Sequence, residues 1–422
     1  GLGRGLSLQQ AFLVTTGVWV AMPLFGALPF MLGAPGAGFT DAVFEAMSGV
    51  TTTGATVFVG LDALPLGTNL WRGILQWLGG LGIIVLAMVF LPVMKVGGMQ
   101  YFRSEAFDTL GKILPRALDI AFGLIQVYVA LTVLCGIVYF ALGMTGFEAV
   151  VHAMTTIATG GFSTSDLSFA RFGDALYLAA AAFMFLAGLP FIRFVQVMGG
   201  SFLPLWRDVQ VRAYLRWTVY ALALILAYRA LVQEADPVAS FAAVVFNTVS
   251  IFSGTGYGTE NVETWGPFPF VILIVVGMIG ACTASTGCSI KVFRYLILIE
   301  AIKAQVRRIH APSRVVPLRL ECRPVGEDVV ASVILLFTAF ILGFGVLSVL
   351  LSMTGLQFKT AVTAAWTALF NIGPAFGPEV GATGAMHSFP AAAKWLMIAG
   401  MLLGRLEMLA VLVLFMPRFW RG

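Results

Sequence analysis

A run of three threonines followed by a glycine, residues 51–54, lies inside an otherwise apolar stretch of the chain. Three later stretches share its character, and aligning the four places Gly54, Gly161, Gly256 and Gly373 in register, 107, 95 and 117 residues apart. These stretches contain no charged side chain and no ligand set for a transition metal. Their chemistry is therefore that of backbone carbonyl and hydroxyl oxygens, which can replace the hydration shell of a cation.

The four stretches predict a ring of oxygen ligands for a monovalent cation. Glycine adopts a positive φ without a Cβ penalty, so each stretch can turn its carbonyl groups towards a shared axis, and nearby threonines can add hydroxyl oxygens. Rings of such carbonyls form the filter of potassium channels. The predicted ion-binding residues are Thr52, Thr53, Gly54, Thr159, Gly160, Gly161, Gly254, Thr255, Gly256, Asn371, Ile372 and Gly373.

The four stretches are not identical, and the differences bear on selectivity. The third, Thr255 to Gly258, approximates the filter strand of tetrameric potassium channels. In the fourth, Ile372 stands where two others have threonine, and Pro374 should push Gly373 towards extended geometry. An asymmetric ring predicts selection of K⁺ over Na⁺ that is less strict than in a fourfold filter.

The composition places these stretches in a membrane protein. Apolar residues make up 59% of the 422 and charged residues 11%, whereas a soluble domain carries about 25% charged residues. Long apolar windows that match the ~20 residues needed to cross a bilayer predict eight crossings. The windows are residues 8–32, 71–94, 119–143, 176–203, 214–233, 267–302, 328–353 and 392–417.

Each polar stretch follows a short amphipathic segment of about ten residues, which is too short to span a bilayer. Loops at membrane depth are tolerated only where they are buried or line a water-filled cavity. One such segment could be an external hairpin, but four in register favour re-entrant loops around one axis. The predicted fold is an all-α integral membrane protein with four tandem helix–pore helix–filter loop–helix units, arranged as a single-chain pseudo-tetrameric ion channel. The predicted units are residues 1–94, 95–203, 204–305 and 306–422.

The second long helix of the third unit is interrupted by ten small and polar residues, Gly280 to Ser289, after an apolar run of only twelve residues, 268–279. Interrupted apolar segments often mark a transport pathway, so this segment is a candidate intramembrane gate beneath the filter. The alternative is a glycine kink or a packing contact between helices, which is favoured for the weaker glycine positions of the other three units. The predicted gate residues are Gly280, Thr283, Ser285, Thr286, Gly287, Lys291 and Arg405.

Three cationic residues lie near these interruptions. Arg193 and Arg405 each follow their aligned glycine by 32 residues, which predicts a matching depth, and Lys291 directly follows the interrupted segment. Cations on a cation pathway form a barrier, and buried charges in lipid usually mark such a path; the alternative is snorkelling to the cytoplasmic surface. For Arg405 the expected partner is a carbonyl of the Gly280–Ser289 segment, because Glu407 at i+2 faces another way.

The net charge of +5 is distributed in alternate loops rather than as a nucleic-acid surface. This asymmetry predicts that the basic loops and the C-terminus are cytoplasmic. The basic positions are Lys95, Arg103, Lys112, Arg116, Arg207, Arg212, Arg216, Lys303, Arg307, Arg308, Arg314, Arg319, Arg323, Arg418 and Arg421, and the opposite loops carry Asp62, Asp166, Asp174, Glu260, Glu263 and Glu379. The four cysteines suggest neither disulfides nor a zinc site.

The whole chain resembles the membrane subunit of the Trk/Ktr/HKT cation transporter superfamily, in particular its bacterial TrkH/TrkG potassium-uptake type. The resemblance rests on seven motifs: TTTGAT (51–56), WRGILQWLGGLGIIVLA (71–87), ATGGFST (158–164), SGTGYGT (253–259), STGCSIKV (285–292), NIGPAFG (371–377) and GRLEMLAVLVLF (404–415). Such proteins usually carry a further N-terminal helix pair, and the initial glycine suggests that the natural N-terminus is missing here.

The resemblance implies K⁺ uptake across a bacterial inner membrane, with Rb⁺ also permeant, by a homodimer working with a cytosolic nucleotide-binding subunit of TrkA type. No cofactor is expected, K⁺ being the transported ion. An enzyme is disfavoured because no catalytic motif is apparent. The remaining alternative is a Na⁺-permeable or an ion-coupled (K⁺/H⁺ or K⁺/Na⁺) carrier on the same fold. The basic loops 95–116 and 303–323 could dock the partner, contact anionic membrane lipid or only fix topology.

Overall fold

The computed structural model describes residues 8–89, 98, 117–311, 317–320 and 323–420. The structure does not describe the predicted boundary between units 1 and 2 at residues 94–95, the basic segment 95–116 (apart from Gly98), Arg314, Cys322 and Arg421. The unit boundaries therefore stay a prediction, while the order of elements within each unit can be described directly.

Each unit opens with a long apolar helix, called here the outer helix, followed by a short helix. The outer helices are Leu8–Gly26, Ala117–Ala141, Val209–Val232 and Glu327–Met353. The short helices are Phe39–Val50, Gly146–Ile157, Pro237–Ser253 and Phe358–Phe370. With 12, 12, 17 and 13 residues, the short helices are below the ~20 residues of a bilayer crossing.

A second long segment, the inner helix, closes each unit and is continuous only in unit 1. The inner helices are Leu66–Val89; Asp174–Ala187 with Phe191–Met198; Pro267–Ile279 with Val292–His310; and Ala391–Arg405 with Leu409–Leu412. Smaller elements are the helices Leu28–Leu32 and Leu203–Arg207, the 3₁₀ turns Leu61–Ala63, Val262–Trp265, Val413–Phe415 and Pro417–Trp420, and a ladder that pairs Arg319–Leu320 with Arg323–Pro324.

The three interrupted inner helices differ in how their helical structure is interrupted. In unit 2 the segments meet at 94°, with Pro190 at the bend, where a proline cannot donate a helical hydrogen bond. In unit 4 they meet at 104°, and Glu407 and Met408 at the bend have φ values of 59° and 43°. In unit 3, residues 280–291 adopt no helix.

The eight predicted crossings are reduced by these breaks. By length and apolar composition, five unbroken helices of the described residues could cross a membrane, or up to seven if each bent pair is one span. The one predicted crossing outside these seven is the inner helix of unit 3, window 267–302. Its first part, Pro267–Ile279, has 13 residues. That part is too short to cross alone, as its sequence indicates.

The four units form a closed cycle around the short helices. Each short helix packs between its own outer helix and its own inner helix. Each also contacts the inner helix of the preceding unit, and the short helix of unit 1 contacts Ala391–Arg405 of unit 4. The short helices are consequently the most buried elements, whereas the outer helices expose apolar side chains such as Phe122 and Leu342. The structure is thus the predicted all-α, single-chain pseudo-tetramer.

Glycines of the inner helices allow this close packing. In the continuous inner helix of unit 1, a Cβ on Gly79 would overlap the carbonyl oxygen of Val50. A Cβ on Gly80 would lie 2.9 Å from the Cα of Ala158 in unit 2. In unit 4, a Cβ on Gly404 would overlap the carbonyl oxygen of Leu369. At these positions glycine is required for helix packing, and the helix of unit 1 does not break.

We expect Gly79→Ala to lower the free energy of unfolding by about 1–3 kcal/mol, because overpacking a fitted contact costs this much. Gly82→Ala is the matched control on the same helix, since its Cβ would lie 3.6 Å from the ring of Trp19, an ordinary contact. The measurement is thermal or denaturant unfolding of both variants in detergent. Equal stability of the two variants would contradict this account of the packing.

Candidate cation site and the segment beneath it

The four polar stretches form loops with one common backbone pattern. They are called here loop 1 (residues 51–56), loop 2 (158–164), loop 3 (253–259) and loop 4 (371–377). The aligned glycines Gly54, Gly161, Gly256 and Gly373 have φ values of 86°, 79°, 82° and 104°. The residues two positions earlier, Thr52, Thr159, Gly254 and Asn371, also have positive φ, at 51°, 49°, 83° and 53°. Pro374 therefore does not remove the positive φ of Gly373, although that angle is the largest of the four.

The same hydrogen bond joins each loop to the end of its short helix. The amide of the residue before the aligned glycine donates to a carbonyl five residues earlier, always that of a serine or a threonine. The four bonds are Thr53 N to Ser48 O at 2.9 Å, Gly160 N to Thr155 O at 2.8 Å, Thr255 N to Ser250 O at 2.9 Å and Ile372 N to Thr367 O at 3.3 Å. Because of this bond, the backbone leaves all four short helices in the same conformation.

The four loops close a ring in the order of the units. A Cβ on Gly54, Gly161 or Gly256 would overlap the carbonyl oxygen of the residue before the aligned glycine of the next loop, respectively Gly160, Thr255 and Ile372. A Cβ on Gly373 would lie 3.0 Å from the carbonyl oxygen of Thr53, which returns the cycle to loop 1. The twelve predicted ion-binding residues are thereby brought together.

The surroundings of the ring suit a cation without a charged ligand. Each short helix ends at its loop, so four carboxyl ends with partial negative charge surround the ring. A cavity of about 460 Å³ covers the ring and is lined by all four aligned glycines. Asp166, Glu260 and Glu263 also line this cavity.

Side chains make the ring asymmetric. The Thr53 hydroxyl lies 2.8 Å from that of Thr51 and accepts a hydrogen bond from Asn371 Nδ2 at 2.8 Å. Thr159 donates to its neighbour's carbonyl, and the Thr255 hydroxyl lies 2.7 Å from that of Ser253. The hydroxyls expected to supplement the carbonyl ligands thus also bond within the protein.

Gln76 of the first inner helix supports loop 2 alone. Its Nε2 donates to the carbonyl of Gly160 at 2.6 Å, and its Oε1 accepts from the amide of Phe162 at 3.0 Å. One amide side chain from unit 1 therefore holds both sides of Gly161 in unit 2. No pattern in the sequence indicates this contact of Gln76.

The non-helical residues 280–291, called here the intramembrane segment, lie against the inner side of the ring. Cys288 Sγ is 3.9 Å from the Thr52 hydroxyl, and a Cβ on Gly287 would lie 2.8 Å from the carbonyl oxygen of Ser253. The Ser289 hydroxyl bonds to the carbonyls of Gly277 and Phe370, at 2.7 and 3.1 Å. The segment therefore touches loops 1 and 3 and the end of the fourth short helix.

The predicted gate residues all lie in or against this segment. Unit 2 holds it through the Thr286 hydroxyl, which donates to Ala187 O at 3.1 Å, and through Gly188 O, which accepts from Cys282 N at 3.0 Å. Four residues of the segment have positive φ, including the non-glycines Ala284, Ser289 and Lys291. Gly280, Thr283, Ser285, Thr286, Gly287 and Lys291 are all buried.

Arg405 connects three units beneath the ring. Its Nη1 donates to the carbonyl of Thr286 at 3.2 Å and contacts Cys288 Sγ, and its Nη2 donates to the carbonyl of Gly79 at 3.3 Å. The residue is only 3% exposed, which excludes snorkelling. The predicted carbonyl partner from the Gly280–Ser289 segment is present, and a second carbonyl comes from unit 1.

Arg193 and Arg405, for which a matching depth is predicted, lie at different points of their inner helices. The inner helix of unit 2 bends by 94° before Arg193, whereas that of unit 4 bends after Arg405. With equal spacing from their aligned glycines, Arg193 thus follows its bend and Arg405 precedes its bend. Arg193 Nε donates to Asp208 Oδ2 at 2.7 Å.

Sequence reasoning also missed an ion pair that links the unit 4 bend, through Arg294, to the end of the intramembrane segment. Glu407 Oε2 forms a buried ion pair with Arg294 Nη2 at 2.6 Å. Arg294 Nη1 donates to the carbonyl of Ile290 at 2.9 Å, at the end of the segment. Charged residues in apolar surroundings at positions 294 and 407 indicate that each needs a partner. The sequence does not show that they pair with each other, because they are 113 residues apart.

The chain is similar over its length to cation transport proteins. A family model described as TrkH, a cation transport protein, matches residues 4–421. The Trk system potassium uptake protein TrkI of Halomonas elongata is 39% identical over 415 residues, or 98% of this chain and 84% of that protein. The Trk system potassium uptake protein TrkH of Escherichia coli (strain K12) is 36% identical over 424 residues, or 99% and 87%. The crystal structure of the potassium transporter TrkH from Vibrio parahaemolyticus matches with a TM-score of 0.90 and 33% identity, covering 99% of this chain and 87% of that one.

We expect Arg405→Met to expose Cys288 to small thiol reagents, because the guanidinium covers that sulfur and anchors the adjacent Thr286. The modification rate should rise about tenfold, the effect of losing ~1.4 kcal/mol of contact free energy. Peptide mass spectrometry after timed labelling measures the rate, with Cys282 of the same segment as internal comparison. An equal rise at both cysteines, or none at Cys288, would show that Arg405 does not hold this part of the segment.

Proposed function

The chain belongs to the TrkH family of cation transport proteins, and we propose on this premise that it takes up potassium across the bacterial inner membrane by channel-like conduction. The observation that carries the proposal is the closed ring of four glycine loops, in which the aligned glycine of each loop packs against the carbonyl before the aligned glycine of the next. Such contacts place the backbone oxygens of four loops around one axis, as a carbonyl filter requires.

Selectivity in this proposal comes from the backbone. The twelve ring residues supply carbonyl oxygens that replace the hydration shell of K⁺ and of the similarly sized Rb⁺. The four short helices direct their partly negative ends at the ion. Transport then needs no covalent step and no cofactor, and the relatives are named as transport proteins. An inside-negative membrane potential drives entry with about 2.3 kcal/mol per charge per 100 mV.

The intramembrane segment acts as the gate in this proposal. We place it between the ring and the cytoplasmic side. Arg405 ties it to units 1 and 4. The guanidinium charge next to the path opposes a cation electrostatically. Opening then requires that Thr286 and Cys288 move away from Arg405. The other gate residues of the segment move with them.

The proposed assembly and orientation follow the family and the charge distribution. We place the C-terminus in the cytoplasm, by the positive-inside asymmetry. A homodimer with a TrkA-type nucleotide-binding subunit would dock on the cytoplasmic side, where the helix Val292–His310 carries Arg307, Arg308 and His310 in its last turn. The four predicted units remain the proposed domain division.

We expect purified protein in liposomes, under an imposed potential, to pass K⁺ and Rb⁺ well above Na⁺ and Li⁺. Gly256→Ser should abolish that preference, because its Cβ would overlap the Ile372 carbonyl and its φ is 82°. The matched control is Gly38→Ser, at the start of a short helix, where a Cβ meets nothing within 4 Å. Equal passage of Na⁺ in the parent would favour the Na⁺-permeable alternative, and flux that requires a proton or Na⁺ gradient would favour a coupled carrier. A selective Gly256→Ser variant would refute the filter.

We expect Arg405→Met to raise basal K⁺ flux about tenfold, since it removes ~1.4 kcal/mol or more of the proposed barrier. Lys303→Met is the control for charge removal, because Lys303 pairs with Glu300 and is 54% exposed. The assay is the same liposome flux, normalised to reconstituted protein. Unchanged or reduced flux in Arg405→Met, with the control equal to the parent, would contradict the proposed barrier.

A further inference from the structure

A side chain of each short helix bonds to the part of its own loop that lies beyond the aligned glycine. In units 1, 2 and 3 this side chain is nine residues before the glycine: Glu45, His152 and Asn247. In unit 4 that position is Ala364, and the preceding residue, Thr363, makes the contact instead. These four residues are called here the tethers.

The four tethers hold equivalent places by different chemistry. Glu45 accepts from the amide of Val57 at 3.0 Å and from the Thr56 hydroxyl at 2.9 and 3.0 Å. His152 Nε2 lies 3.0 Å from the Ser163 hydroxyl. Asn247 bonds to the amide and the hydroxyl of Thr259, at 3.2 and 2.6 Å, and Thr363 bonds to the carbonyl and the amide of Phe376, at 2.7 and 2.9 Å.

Only the tether of unit 1 is part of a buried ion pair. Arg72 Nε is 2.8 Å from Glu45 Oε1, and the two side chains are 1% and 0% exposed. Arg72 Nη1 also donates to the carbonyl of Ser163 in loop 2 at 2.7 Å, and the guanidinium lies 4.2 Å from the centre of the Phe162 ring. The pair thus fixes the outer parts of two neighbouring loops to each other.

The pair lies beside the ring and supplies no ligand to it. The carboxylate of Glu45 is occupied by Thr56, Val57 and Arg72, and Arg72 bonds to the outer ends of loops 1 and 2. Neutralising one partner leaves the other charge buried without compensation, and the group must then move or draw in water. Either response displaces the loops that carry Gly54 and Gly161.

We propose that Glu45 and Arg72 are positioning residues that set the selectivity of the ring, by fixing the spacing between loops 1 and 2. This rests on the proposed function, since it concerns the same carbonyl filter. The neutral tethers of units 3 and 4 each hold one loop only. Loops 1 and 2 are held jointly, so loss of this one pair affects half of the ring.

The test is a double-mutant cycle of Glu45→Gln, Arg72→Gln and both together, with Na⁺ and K⁺ flux measured in liposomes and Tm in detergent. Each single variant should raise the Na⁺/K⁺ flux ratio about fivefold, equivalent to ~1 kcal/mol of lost discrimination. The Na⁺/K⁺ flux ratio of the double variant should differ from the parent ratio by less than the product of the two single-variant factors. The double variant leaves no unpaired charge, so the two effects are coupled. The matched control, Asp41→Asn, removes a carboxylate of the same short helix that pairs with Lys394, and should keep the parent ratio.

Thr56→Val supplies an independent variant should the charge changes prevent folding. It removes the hydroxyl between Glu45 and Arg72, which also accepts from the amide of Phe58. The Na⁺/K⁺ flux ratio should rise by a smaller factor than in the charge variants. An unchanged ratio in folded Glu45→Gln and Thr56→Val, or single effects that add without coupling, would overturn the inference while the parent stays selective for K⁺. A parent without K⁺ preference would instead refute the proposed function.

Discussion

The structure depends on one constraint, which is that non-helical backbone within a membrane must find its hydrogen-bond partners inside the protein. Four loops in this chain meet that constraint together. Each takes its first bond from the end of its own short helix, and each packs against the next loop around the ring. No loop could adopt this place alone, so the closed cycle of units follows from the loops as much as from the helices.

The backbone of the ring is nearly fourfold, but the side chains around it are not. Positive φ values recur at two positions of every loop, whereas the tethers are a carboxylate, an imidazole, an amide and a hydroxyl. Gln76 contacts loop 2 only. A single chain can repeat the geometry that coordinates an ion while it assigns each quadrant a different support.

Asymmetry is larger beneath the ring, where the inner helices differ most. Unit 1 keeps a continuous helix in which Gly79 and Gly80 are used for packing, while unit 3 unwinds over residues 280–291. The bend of unit 4 then reaches this segment at two points, through Arg405 and through Glu407 with Arg294. Buried charges in lipid are costly unless partners compensate them, and here the partners are carbonyls and charges of other units. These contacts tie the intramembrane segment to the bend of unit 4.

The sequence alone determined the features that arise from local chemistry. The register of Gly54, Gly161, Gly256 and Gly373 was readable because only glycine accepts these angles without strain. The short helices and the interruption at Gly280–Ser289 were readable because apolar length limits what can cross a bilayer. The Arg405 contact with a carbonyl of that segment was predicted from the isolation of its charge.

Only the tertiary structure decided which distant residues meet. Glu45 with Arg72 joins two helices of unit 1, Gln76 with Gly160 joins unit 1 to loop 2, and Glu407 with Arg294 joins unit 4 to unit 3. No local pattern links these positions. Contacts could not be read from spacing either. Arg193 and Arg405 share a spacing of 32 residues from their glycines, but one follows a bend and the other precedes one. Which partner a buried charge meets depends on how the helices pack, and those partners come from distant parts of the chain.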